Sequence, residues 1–204
     1  MARKMKGSGI EWIGEIPAEW EKNKVFRIFG IIGSGTTPKF DLENEKTEAV
    51  YWIQSGDING GIIVNCKNKI SHNLLSKYSA LKIYKSPFIV LAMYGASIGN
   101  ISISQVDACV NQACCVLGET KLDFSFSFYV LKAAKKYLLR KGIGGGQPNI
   151  SQDIIRQIWL PVPPIVEQQR IADFLDQKCA QIDEILQKTR DTIAEYKKLK
   201  QSII

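Results

Sequence analysis

The residues of this chain best equipped for chemistry lie between 124 and 149. Lys132, Lys135, Lys136, Arg140 and Lys141 crowd the polar side of one amphipathic segment, and no acid occurs between Asp123 and Asp153. Such a cluster suits phosphate oxygens, which lysine and arginine hold by charge and hydrogen bonds. A glycine loop follows at once, Gly142-Ile143-Gly144-Gly145-Gly146-Gln147-Pro148-Asn149. Glycines let backbone approach a phosphate closely, and the Gln147 and Asn149 amides suit pairing with base edges. A solvated helix face followed by a plain turn explains the same stretch equally well. Three further polar loops are candidates for base contacts: Thr36, Thr37 and Lys39; Gln54 and Asn59; Tyr94, Ser97 and Asn100. Gly56-Asp57 and Gly95/Gly99 fit structural turns better than ligand contacts.

Catalytic arrangements are harder to find. The glycine loop lacks the Lys-Ser/Thr of a nucleotide phosphate loop and follows a helical segment rather than a strand. Leu160-Pro161-Val162-Pro163-Pro164 has no Asp or Asn before its proline pair, so it cannot grip an exocyclic amine as an adenine methyltransferase does. His72 is the single histidine. Five cysteines, Cys66, Cys109, Cys114, Cys115 and Cys179, contain no Cys-x-x-Cys spacing, and the pair at 114–115 lies in an apolar run. No metal site or disulfide framework is expected. The pattern favours a binding module that is not an enzyme and holds no cofactor of its own.

These residues need positioning elements. The expected fold class is α+β: a globular domain of short strands and helices over 1–160, then a long helix over 161–204. Short strands are read at 51–53, 62–64, 88–93, 101–103 and 109–117, broken by glycine turns. Val25 to Ile32 reads as a strand or short helix, Leu74 to Leu81 as a short helix, and Phe124 to Arg140 as one helix. Residues 1–9 read as flexible, and Ile10 to Trp20 as an irregular packed arm. The prolines 161, 163 and 164 brake the chain, after which 165–204 contain neither proline nor glycine. Ile171, Lys178, Ile185, Thr192 and Leu199 alternate with Leu175, Ile182, Thr189, Tyr196 and Ile203 in a heptad seam, seven of the ten being apolar. That is a coiled-coil signal, and its partner is expected on another chain.

Charge separates the two parts. The formal net charge is +7, and it falls wholly on residues 1–164, since 165–204 balance. A polyanion partner for the domain and a protein partner for the helix follow. No apolar run approaches a membrane span and no signal core follows the basic N-terminus, so the expected compartment is the cytoplasm.

Read together, several stretches resemble the specificity subunit of type I restriction–modification enzymes. They are Gly9 to Trp20, Trp52 to Ile58, Gly95 to Gly99 and, most specifically, Gly144 to Ile150 followed by Leu160 to Leu175. The resemblance implies a non-catalytic target-recognition domain for double-stranded DNA. It also implies that the helix acts as a spacer and as a dock for methyltransferase subunits. S-adenosylmethionine and adenine methylation would belong to those partners, and a motor-nuclease subunit would complete the assembly. A full subunit of that family repeats domain and helix twice. This chain has one of each, so two copies are expected to pair through 165–204 as a homodimer. A stand-alone dimeric DNA-binding regulator is the alternative.

Overall fold

The computed structural model describes residues 3–38, 49–143 and 149–203, with side chains described as far as Gln201. The fold is α+β with a long C-terminal helix. Its elements, in chain order, are β1 (Met5–Ile10), β2 (Ile13–Pro17), β3 (Glu21–Lys24), α1 (Val25–Ile28), β4 (Phe29–Gly33), β5 (Ala49–Ile53), β6 (Ile62–Ile63), β7 (Lys69–Ser71) and α2 (His72–Lys77). They continue with β8 (Phe88–Ala92), β9 (Ile101–Ser104), β10 (Ala108–Val110), β11 (Cys114–Thr120), α3 (Phe124–Ala133), α4 (Lys135–Lys141), α5 (Gln152–Gln157), β12 (Trp159–Val162) and α6 (Ile165–Ile203).

β8 is the centre. All five of its residues are buried, and the uninterrupted apolar run Phe88-Ile89-Val90-Leu91-Ala92 suits a strand covered on both faces. It lies in the sheet β4-β11-β8-β9-β6. Successive side chains take opposite faces, as the pleat demands. Ile89 and Leu91 join Cys115, Leu117, Leu131 and Leu138 in one core. Val90 and Ala92 join Cys114, Val116, Ile53 and Val110 in another. The second core lies against the smaller sheet β10-β5-β7, whose far side buries Trp52, Ile70 and Cys109 with Leu74 and Leu75 of α2. The layers therefore run from helices, through the large and small sheets, to α2.

Several elements differ from the sequence reading. Residues 5–10 form β1, which pairs antiparallel with β2. Ser8 secures that hairpin by accepting from Ile10 N at 2.9 Å and donating to the Ile13 carbonyl. The helix expected over 124–140 is two helices with Ala134 between them. Part of the proline brake is strand β12, with Pro161 opposite Lys22 of β3. A two-stranded ribbon leaves β12 free to carry a proline, because one side needs no ladder donor. Asp123 caps α3 by accepting from Phe126 N at 2.9 Å. Pro163-Pro164 mark where β12 gives way to α6, and the Pro164 carbonyl accepts from Glu167 N and Gln168 N.

Candidate nucleic-acid interface

The strand directions bring separate loops to one end. β5 and β10 are parallel, and β4 and β8 both run antiparallel to β11. The segments leaving β4, β5, β8 and β10 therefore meet where β11 begins. Ser34 Oγ reaches the Asn111 and Gln112 carbonyls at 3.5 and 3.4 Å, and Thr37 Oγ1 donates to Gln112 Oε1 at 2.6 Å. Asn111 N donates to the Ile53 carbonyl at 3.0 Å and Met93 N to the Ala113 carbonyl at 2.7 Å. Ser97 Oγ donates to the Ser55 carbonyl at 2.5 Å, and Asn100 Nδ2 to the Ile58 carbonyl at 3.1 Å. Close approach is enforced at Gly35, where a Cβ would stand 1.8 Å from the Val110 carbonyl oxygen.

The two ends of the glycine loop arrive at the same place. Ile143 and Asn149 form an isolated antiparallel bridge, and Ile150 N donates to the Met93 carbonyl at 2.8 Å. Asn149 is exposed at that junction. Lys39 and Gln147 lie outside the described residues.

The basic set divides. Lys132 Nζ reaches the Gly60 carbonyl at 3.3 Å, and Lys135 Nζ donates to Asn100 Oδ1 at 2.7 Å. These amines brace the loops they adjoin. Gly99, at φ 72°, leaves room for Lys135, since a Cβ there would meet Lys135 Cγ at 3.3 Å. Lys141 turns instead to the tip of the β1–β2 hairpin, with Nζ 3.0 Å from Glu11 Oε2. That hydrogen bond holds the Glu11 carboxyl below its usual range. Arg140 lies 6.0 Å from the Tyr137 ring centroid, and Lys136 is exposed.

Polar groups on this end include Thr36, Thr37, Gln54, Asn59, Tyr94, Ser97 and Asn100, half-buried or exposed. Gln112 is exposed among them and was missed by sequence reasoning. The available signal was the Asn111-Gln112 interruption of the apolar run 109–117. Asp57, from the same loops, already accepts from Gln54 N at 2.8 Å and closes a capping box. The set is one of amides, hydroxyls and cations, suited to hydrogen-bonded recognition of a polyanion. Burial pushes the neighbouring Cys114 thiol up to about 12, so it stays protonated and packs as an apolar group. Among the described residues, no group of three or more His, Cys, Asp or Glu is placed to hold a metal ion.

α6 leaves the opposite end, beyond the far end of β11. Its first turns dock on the domain: Gln168 and Ala172 are buried, Ile171 packs on the helix-side core, and Leu175 is half-buried. Tyr129 Oη donates to Asp176 Oδ1 at 2.6 Å. From Asp176 to Gln201 every residue is exposed. Lys178, Ile182, Ile185, Thr189, Thr192, Tyr196 and Leu199 of the seam all face outward, and the Ile203 side chain is not described. Thr189 and Thr192 return their hydroxyls to the carbonyls four residues earlier. Leu186 and Ile193, absent from the expected seam, are also exposed, at 47% and 49%. The apolar stripe is therefore wider than a strict heptad line.

Fold and site together define an α+β module with polar loops at one end and a largely exposed helix at the other; among the described residues, no helix is long and apolar enough to cross a membrane. Residues 17–195 match the type I restriction modification DNA specificity domain, and the chain belongs to that family. It is 30% identical over 196 residues to the type I restriction enzyme MjaVIII specificity subunit of Methanocaldococcus jannaschii, covering 91% of this chain and 45% of that protein. A chain from a structure describing complex assembly and conformational transition of the type I R-M system superposes with a TM-score of 0.76 at 19% identity, over 98% of this chain and 47% of the other. The HsdS subunit from Thermoanaerobacter tengcongensis gives 0.65 at 16% identity, over 88% and 41%. The chain thus spans less than half the length of the curated relatives it matches.

Proposed function

We propose that this chain reads one half of a bipartite double-stranded DNA target as the specificity component of a type I restriction–modification system. Residues 1–160 are the recognition part and 161–204 the spacer and docking part. The observation that carries the reading is the convergence of four polar loops with Lys132 and Lys135 at the end of the domain remote from α6. Lysines and backbone donors would hold phosphates, while Gln54, Asn59, Gln112 and Asn149 would address base edges.

Two copies would pair through the exposed stripe of α6 and present two equal half-sites, so the target would be a split palindrome. Methyltransferase subunits would dock on this frame, bringing S-adenosylmethionine and the adenine-methylation chemistry, and a motor-nuclease subunit would join them. The chain itself would do no catalysis and would work in the cytoplasm, beside its DNA.

Sedimentation of the purified chain, alone and with the methyltransferase subunit of its system, tests this. The expected result is a dimer that grows on mixing and methylates a split palindrome. A concentration-independent monomer overturns pairing. A DNA-binding dimer that never takes up a methyltransferase assigns the chain to stand-alone regulation.

A further inference from the structure

The base of α6 is gripped by a residue far away in sequence. Arg3 Nη1 and Nη2 donate to Glu167 Oε1 and Oε2 at 2.5 and 2.7 Å. The same guanidinium reaches Glu19 Oε1 through Nε at 2.8 Å and Nη2 at 2.5 Å. Trp20 Nε1 adds a donor to Glu167 Oε2 at 2.9 Å. Beside this bracket, buried Gln168 accepts from Asp123 N at 2.7 Å and donates to the Pro163 carbonyl at 2.8 Å. The first turn of α6 is thereby tied both to the N-terminal hairpin and to the cap of α3.

The bracket is a weak source of stability. Arg3 and Glu167 side chains are 45% and 25% exposed, and exposed ion pairs contribute little net free energy. A bidentate guanidinium–carboxylate pair is nevertheless strongly directional. What it adds, beside the buried Gln168 and Ala172, is a directional tie between the N-terminal hairpin and the first turn of the helix.

The angle at which the domain stands on its helix has leverage. β11 separates the helix joint from the recognition loops, and its seven residues span about 23 Å at ~3.3 Å each. A rotation of about 8° at the joint moves the loops by about 3.4 Å, one base-pair step. Where both domains of a symmetric pair swing, about 4° each is enough.

We propose that Arg3 and Glu167, with Glu19 and Trp20 behind them, set the spacer length that the paired protein accepts between its half-sites. They are positioning residues: they hold the domain angle and read no base. The proposal rests on the paired DNA-reading function above.

The test recovers and sequences random duplexes bound by the full chain with its methyltransferase subunit. Wild type is expected to yield two half-sites at a single spacer. Arg3→Ala and Glu167→Gln are expected to yield the same half-site bases, with spacers one base pair shorter and longer admitted. Their discrimination between spacers should fall by up to about five-fold, the most that an exposed ion pair supplies. Arg3→Lys keeps a cation between Glu19 and Glu167 without the two-pronged fork, and should restore the single spacer only in part. Variants that keep the wild-type spacer distribution overturn the proposal, as do variants that lose the half-site bases too, which would show damage to the domain rather than to its angle. Wild type recovering only an unsplit site would overturn the paired reading itself.

Discussion

The two portions of α6 share one helix and obey different rules. Up to Asp176, its inward residues are spent on the domain: Gln168 and Ala172 are buried, and Ile171 joins the core. Beyond Asp176, Ile182, Ile185, Leu186, Ile193, Tyr196 and Leu199 are each about half exposed or more. A helix this long and this bare gains little from its own chain, because helices draw most of their stability from tertiary packing. The first portion belongs to the domain, and the second is the exposed surface proposed above to pair two copies.

Substitution at each portion separates the two roles, with the largest effect at the base. Ala172→Glu places a carboxylate in the buried contact between α3 and α6, and should cost about 3 kcal/mol or more of domain stability. Ile185→Glu, at a 63% exposed position, should stay within about 0.5 kcal/mol in the monomer, yet abolish self-association. Urea denaturation at high dilution and sedimentation at high concentration read the two effects. Equal loss of stability from both would break the distinction.

A second contrast lies within the basic set. Lys132 and Lys135 brace the polar loops, whereas Lys141 is paired with Glu11. The double change Lys132→Ala, Lys135→Ala should weaken DNA binding and lower the salt slope by about two. Arg140→Ala with Lys141→Ala should do less, since one of those cations already has a carboxylate. Titrations of binding against salt compare the pairs, and a larger effect from the second pair would move the interface toward the hairpin tip.

Next in size comes the width of the helix stripe. Leu186→Gln or Ile193→Gln should each weaken self-association by about 1.5 kcal/mol or more if that side chain becomes buried. Thr192→Ala should change it little, because that hydroxyl bonds its own helix. Sedimentation equilibrium distinguishes the wide stripe from the strict seam.

The smallest effect is a pH dependence at the joint. The hydrogen bond from Arg3 holds the Glu167 carboxyl below its usual range, with help from Trp20 and against some desolvation. Arg3, Arg170 and the like-charged Glu19 are the charged groups around this node. A depressed native value means that the contribution is complete above the ordinary carboxylate pKa of about 4.3 and is lost as pH falls through the lower native value. The stability gap between wild type and Glu167→Gln should therefore be level near neutrality and close below about pH 4. Melting curves across that range test it.

Much of this was legible in the residues. Phe88 to Ala92 announces a central strand because an uninterrupted apolar run needs cover on both faces. The helix after Pro164 is visible because nothing in it breaks a helix. The β1–β2 hairpin was hidden: Met5-Lys6-Gly7-Ser8 has no strand pattern of its own and is ordered by pairing and by the Ser8 hydroxyl. The division at Ala134 was hidden for the opposite reason, since alanine is the best helix former and neither proline nor glycine marks the break. Gln112 lay within an apolar run read as one strand, although Asn111-Gln112 marks the turn between β10 and β11. The polar loops were visible singly, but their meeting depends on strand directions that no local pattern carries.

Those directions have one more consequence. β11 begins among the polar loops and ends beside the joint that holds α6. On the proposed reading, text and grammar would thus be written at opposite ends of the same strand. On the function and joint proposed above, new loop residues would rewrite which bases are read without disturbing the ruler, and a retuned joint would alter the ruler without altering a single letter.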